Sequence, residues 1–344
     1  MKKTASAILA ALLALTLTAC SGSSGPAPSP SSSAEPAPSA EPEEKKTINV
    51  AVIKQLDHAS LDEIANAITS ELDALAKANN VEIKYTVDSG QNDQTTLQQF
   101  AAQYIANEVD VIIPIATLAA QTMAAASEEK KIPVIFAAIS DPEGSDLTGF
   151  DYVSGTSDAL NTNVIMDMMF AQNAEIKKVG LLYSLSESNS AKPIAEAKEY
   201  LKNRNIEFVE ATGNTNDEIA QAVTSLTASG VDAVFTPTDN VVMATELVTA
   251  QTLAEAGIPH YAGADSFVRN GAFATCGVNY TDLGKKTADL AYQAVAEGMT
   301  KMEDFYLMDG GIVTVNTETA EKLNADYSMF SSFGTITEVK TTED

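Results

Sequence analysis

Tryptophan is absent from the 344 residues, and there are only two histidines and two cysteines. Two distant thiols cannot build a disulfide framework or a zinc site. Two imidazoles leave a His-based metal centre or catalytic triad poorly supplied. Positive charge is also scarce: Lys and Arg number 21 against 47 acids, for a formal charge of −26. A chain that negative repels phosphate backbones, which argues against nucleic-acid binding. Aromatics make up 6% and no long charge block occurs, so neither a membrane channel nor a disordered tail describes the bulk. The phosphate loop G-x-x-x-x-G-K-[ST], G-x-G-x-x-G after a strand, H-E-x-x-H and G-x-S-x-G are all missing. What the chain does have is 45% hydrophobic residues. At roughly 150 residues per domain, the length suggests about two domains.

Lys2 and Lys3 precede an apolar run from Ala7 to Leu17 that ends in small residues. This is the pattern of a secretory signal peptide, residues 1–19, and the run is too short for a transmembrane helix. Leu17-Thr18-Ala19-Cys20 resembles the lipobox of bacterial lipoproteins, which implies a diacylglycerol on the Cys20 thiol and anchoring to the outer face of the cell membrane. Ordinary secretion with a spare Cys is the alternative. Residues 20–46 hold six of the twelve prolines among Ser, Ala and Glu. Such a segment stays extended and solvated, a spacer between membrane and body. The other thiol, Cys276, reads as a small buried hydrophobe.

From Ile48 onward, β-branched runs alternate with helical stretches. Strands are expected at Ile48–Ile53, Val81–Val87, Val109–Ile115 and Ile132–Ala138, with helices Leu61–Ala78, Thr95–Asn107 and Leu118–Ser127 between them. The pattern restarts with strands Lys178–Tyr183, Ile206–Glu210, Val231–Thr236, Ile258–Ala262 and Phe273–Val278. Helices near Lys192–Asn203, Asp217–Ala228 and Val241–Ala256 separate them, and helix Asp282–Glu297 and strand Gly311–Val315 follow. Apolar strands spaced by helices predict parallel sheets covered on both faces. Val109-Asp110 through Pro114 is echoed by Val231-Asp232 through Pro237, and Ile132-Pro133 by Ile258-Pro259. The fold class is therefore α/β with two Rossmann-like lobes, and ligands of such sheets sit at the carboxyl ends of the strands.

The polar clusters fall at those ends. Lys54-Gln55-Leu56-Asp57-His58 follows the first strand, Ala116-Thr117 the third and Ser140-Asp141-Pro142 the fourth. In the second half Ser186-Glu187-Ser188-Asn189-Ser190, Thr238-Asp239-Asn240 and Asp265 take the corresponding places. Each alone is an ordinary helix cap; together they predict a polar ligand site. Thr117 and Ser140 sit at predicted helix starts, where free N–H groups favour a carboxylate. Asp239 in the other lobe is placed to take an ammonium, so an amino acid bridging the cleft is the expected ligand. His58 reads as a capping or ligand-lining residue and His260 as structural.

These segments, with Gln91-Asn92-Asp93-Gln94, Ser154-Gly155-Thr156-Ser157-Asp158 and Asn279-Tyr280-Thr281-Asp282-Leu283-Gly284, resemble the tryptophan/tyrosine-type substrate-binding lipoproteins of ABC importers, from about Ile48 to Val315. The resemblance implies a type I periplasmic-binding-protein fold with three crossovers, near Thr156–Asn163, Tyr280–Leu283 and Met308–Val315. Lobe 1 would comprise residues 47–160 with 283–308, and lobe 2 residues 161–282 with 309–344. It also implies an aromatic amino acid held by Thr117, Ser140, Ser188, Asn189, Asp239, Asn240 and Asp265. Gln55 and Leu56 lie where the ligand side chain would be read. The chain would act as a monomer without cofactor or metal, delivering its ligand to an ABC permease and its ATPase. The alternatives are a sensory lipoprotein of the same fold, presenting its ligand to a membrane receptor, and an extracellular enzyme using Asp57-His58 or the cleft carboxylates.

Overall fold

The computed structural model describes residues 46–341. The expected signal peptide, Cys20 and all of the spacer but Lys46 lie outside the described residues.

Thirteen strands occur among the described residues, in two sheets. In chain order β1 (Thr47–Lys54), β2 (Glu82–Ser89), β3 (Val111–Ile115), β4 (Val134–Phe136) and β5 (Val153–Ser157) come first. Next are β6 (Lys178–Tyr183), β7 (Glu207–Thr212), β8 (Ala233–Thr236), β9 (His260–Ala262) and β10 (Ala274–Gly277). Last come β11 (Tyr306–Leu307), β12 (Ile312–Asn316) and β13 (Ile336–Val339). The first sheet runs β11-β5-β4-β3-β1-β2 and the second β13-β12-β10-β9-β8-β6-β7. All pairings are parallel except β10 with β12. The first five strands of each half share one order, second-first-third-fourth-fifth. The two halves therefore repeat in topology as well as in sequence.

That order fixes where a ligand can go. The direction of winding reverses between the first and third strands of each half, so the loops after β1 and β3, and after β6 and β8, splay apart there. The central strands are buried: all five residues of β3 and all four of β8 are inaccessible to solvent, as expected for strands covered by helices on both faces.

The chain passes between the sheets three times, in residues 158–161, 278–279 and 308–311. The helix Tyr280–Glu297 returns to lie against Ala59–Ala78 of the first lobe, and Gly284 permits their close approach. A Cβ there would stand 2.6 Å from that of Ala67 and 2.7 Å from the Ile64 carbonyl oxygen.

Three local expectations need correction. The stretch Val241–Ala256 is two helices, Asn240–Met243 and Glu246–Glu255, divided at Thr245, whose hydroxyl turns back to the Val242 carbonyl. Ser140 opens no helix: turns run through residues 142–146, with the Asp141 carboxylate accepting from the Gly144 N–H. Strand β5 and helix Thr162–Gln172 have no counterpart among the expected elements. The strand reads Val-Ser-Gly-Thr-Ser, with too few apolar residues to show a strand pattern, although all five are buried.

Candidate functional site

The loops at the two reversal points enclose a cavity of about 20 Å³. From the first lobe come His58, Thr117, Ser140 and Asp158. From the second come Asn189, Thr238, Asp239 and Asn240, and Phe267 and Tyr280 supply ring surface. Two alanines of the lining, Ala116 and Ala138, hold positive φ angles of 75° and 57°. Left-handed backbone at non-glycine residues is costly and gathers at ligand clamps. Here it turns the chain sharply at the ends of β3 and β4.

The space left is room for about one water molecule, because the lobes are drawn together by hydrogen bonds. Gln55 Nε2 donates to Glu187 Oε1 at 2.7 Å, and His58 Nε2 lies 3.1 Å from Asn240 Oδ1. The hydroxyls of Ser60 and Ser266 meet at 2.6 Å, and those of Ser140 and Thr238 at 2.9 Å. At the rim, Lys192 approaches Asp141 at 3.4 Å. The form described is a closed one.

The sequence-predicted residues divide. Thr117, Ser140, Asn189, Asp239 and Asn240 line the cavity. Ser188 is exposed on the outside of its turn, and Gln55, Leu56 and Asp265 are not among the lining residues. Gln55 is buried as a cross-link: its Oε1 accepts from the Leu118 N–H, and its amide donates to Asn92 and Glu187. Leu56 packs against the core, and Asp265 pairs with Arg269 at 3.3 Å.

Asp239 is fully buried and fully used. Its Oδ1 accepts from the N–H groups of Val241 and Val242, and its Oδ2 from the Ser184 N–H and the Ser190 hydroxyl. A carboxylate has about four lone-pair positions, so none is left for an ammonium. Asp158 differs. Each of its oxygens accepts one hydroxyl, from Ser140 and from Tyr280, both at 2.9 Å. It keeps acceptor capacity and lines the cavity. Of the two carboxylates, Asp158 is therefore the one with acceptor capacity open to the cavity, and it stands at the end of β5, the strand that the sequence pattern does not show. Phe267 and Tyr280 also carried no sequence signal beyond their nearness to Asp265 and to the Asn279-to-Gly284 segment.

Burial shapes the electrostatics. It raises the pKa of Asp158, against the pull of the Ser140 and Tyr280 hydroxyls, and that of Asp239 against its four donors. Glu187 is pushed up to about 7, first by burial and then by the Asp239 charge. Burial lowers His58 to about 4, so its ring is neutral near pH 7.

The Glu187 shift has a signed consequence. Its pKa in the folded state lies above the usual 4.5, so its contribution is fully present below that value and is lost as pH rises through about 7. His58 acts oppositely, contributing above its usual 6.5 and losing that as pH falls through about 4. Glu187→Gln isolates the contribution of Glu187. Whatever its absolute stability, the variant should gain in melting temperature relative to the parent between about pH 5 and about pH 8. Parallel curves would show that Glu187 does not titrate as its surroundings dictate.

His260, by contrast, is structural: buried, with Nε2 2.8 Å from the Thr236 hydroxyl and Nδ1 2.9 Å from a Glu246 carboxylate oxygen. Cys276 is a buried free thiol. Among the described residues no cluster of His, Cys, Asp and Glu could hold a metal, and no helix is long and apolar enough to cross a membrane.

Comparison with known proteins agrees with this architecture. The chain is 30% identical over 295 residues, 83% of its length and 84% of the relative's, to a tyrosine-binding protein of Clostridioides difficile. Its fold superposes with a TM-score of 0.76 on an ABC domain of Streptococcus pneumoniae in complex with L-Trp, at 26% identity, covering 84% of this chain and all of that one. A ligand-free, open substrate binding protein of Clostridium difficile with adhesive properties gives 0.63 at 27% identity, covering 86% and 100%. The fold is that of type I periplasmic binding proteins. Residues 49–329 match the family of ABC transporter substrate binding proteins, and the chain belongs to it.

Proposed function

We propose that the protein captures an aromatic amino acid between its lobes, outside the cytoplasm, and delivers it to an ABC permease. The observation that carries this reading is Asp158, a buried carboxylate with acceptor capacity to spare in a closed interlobe cavity. An ammonium satisfies it. The ligand carboxylate would lie at the start of the helix Thr117–Ser127, whose N-terminal N–H groups and dipole favour an anion. Phe267 and Tyr280 offer ring surface to an aromatic side chain, filling the place that tryptophan would otherwise take. The relatives that bind tyrosine and L-Trp support the same ligand class.

Size sets the mechanism. Ligand sites of this kind enclose about 300–1,000 Å³, far above the 20 Å³ present. The lobes must part to admit an amino acid and close again around it, bending at the three crossings. The bonds between Gln55 and Glu187, His58 and Asn240, Ser60 and Ser266, and Ser140 and Thr238 are those that break as the lobes part; with all four formed only about 20 Å³ is left, so around a ligand the lobes close less far.

Calorimetric titration with the twenty amino acids tests this reading. Heat from one or more aromatic amino acids and none from the rest is the expected pattern; silence from every aromatic one would refute it. The tether is tested separately. Cys20→Ser should move the protein from the membrane fraction to the medium or periplasm, and retention of the variant in the membrane would dismiss the lipid anchor.

A further inference from the structure

A chain of hydrogen bonds crosses the cleft twice and settles which atom of His58 is left to meet a ligand. It starts at the backbone N–H of Leu118, which donates to Gln55 Oε1 at 3.0 Å. That fixes the Gln55 amide, whose Nε2 donates to Asn92 Oδ1 at 3.0 Å and to Glu187 Oε1 at 2.7 Å. The other Glu187 oxygen accepts from Asn240 Nδ2 at 2.6 Å. With Glu187 ionised, Asn240 Oδ1 faces His58 Nε2, 3.1 Å away, and accepts from it. An acceptor there requires the hydrogen on Nε2. The neutral ring therefore presents Nδ1 as a bare lone pair.

Nδ1 is buried and has no hydrogen-bond partner, while His58 lines the cavity. A buried acceptor without a donor destabilises the empty site, and a ligand donor would relieve it. Asp158 and the N-terminus of Thr117–Ser127 serve the amino acid's charged ends under the reading above, so the side chain remains for His58. We infer that the site selects an aromatic amino acid whose ring carries a hydrogen-bond donor, a phenol O–H or an indole N–H, and that His58 Nδ1 is the atom that reads it. His58 is then a specificity-determining residue, and Asn240, Glu187 and Gln55 are positioning residues that hold its tautomer. Burial, which keeps the ring uncharged near neutral pH, keeps the lone pair available.

The inference rests on the proposed binding of aromatic amino acids, and one titration series separates the two. The intact protein is titrated with tyrosine, O-methyltyrosine, tryptophan, 1-methyltryptophan and phenylalanine. Tyrosine or tryptophan should bind about 100-fold or more tightly than phenylalanine and than its own methylated form, because a site built around a hydrogen bond rejects the analogue that lacks it. In H58F, which keeps a ring but removes the acceptor, that preference should collapse to about threefold or less. Equal binding of phenylalanine and the donor-bearing pair by the unaltered protein would overturn the role of His58 while leaving the ligand class intact. So would undiminished preference in H58F. No binding of any of the five would overturn both.

Discussion

Asp158→Ala is expected to weaken amino-acid binding by more than about 100-fold, since breaking a buried charge pair by removing one partner costs about 3–5 kcal/mol. The ligand's ammonium would be sealed in a closed cleft without its counter-charge. Fold stability should change much less, because Ser140 keeps its bond to Thr238 and only the Tyr280 hydroxyl loses its acceptor. Asp158→Asn keeps the shape and removes the charge, so its loss should be nearly as large. Burial raises the free carboxyl's pKa and an arriving ammonium lowers it. Affinity should therefore rise with pH until the unliganded group is fully ionised. Near-normal titration heat from Asp158→Ala would place the amine elsewhere.

Asp239→Ala should produce the opposite profile, a loss of stability. Two backbone N–H groups at the start of Asn240–Met243, the Ser184 N–H and the Ser190 hydroxyl all depend on this carboxylate. Together they tie the loop after β6 to the loop after β8. Leaving four buried donors unpaired costs about 4–12 kcal/mol, at about 1–3 kcal/mol each, a fall of about 10 °C or more in melting temperature. Thermal unfolding monitored by circular dichroism reads it. A variant that melts normally but no longer binds would return Asp239 to the role of ammonium partner.

The contrast between these two aspartates shows what the sequence could and could not disclose. The alternation of strands and helices, the echo of Val109-Asp110 in Val231-Asp232 and the polar clusters at strand ends were legible because burial imposes a periodic pattern. From them followed the α/β class, the two similar halves and a site at the carboxyl ends. Asp239 and Asp158 look alike in the linear chain, each an acid directly after a hydroxyl residue, Thr238 and Ser157. What separates them is how many donors the folded backbone turns toward each, and that is set by loop geometry. Ser188 and Asn189 differ in the same way: adjacent in a three-residue turn, one faces solvent and the other donates to the Thr238 carbonyl. Gln55, placed after the first strand, reads as a ligand contact, yet its side chain makes three hydrogen bonds, two within its own lobe and one to Glu187 across the cleft. Glu187 stands in the sequence only as one member of the Ser186-to-Ser190 cluster; its importance comes from Gln55 and Asn240 meeting it from two sides.

A crystal structure of the protein grown with tyrosine or tryptophan would decide the matter most directly. The amino nitrogen is expected within hydrogen-bond distance of Asp158, the carboxylate at the start of Thr117–Ser127, and the ring between Phe267 and Tyr280 with its donor toward His58. Density for the ligand on an outer surface, or in the cleft with its amine turned away from Asp158, would contradict it.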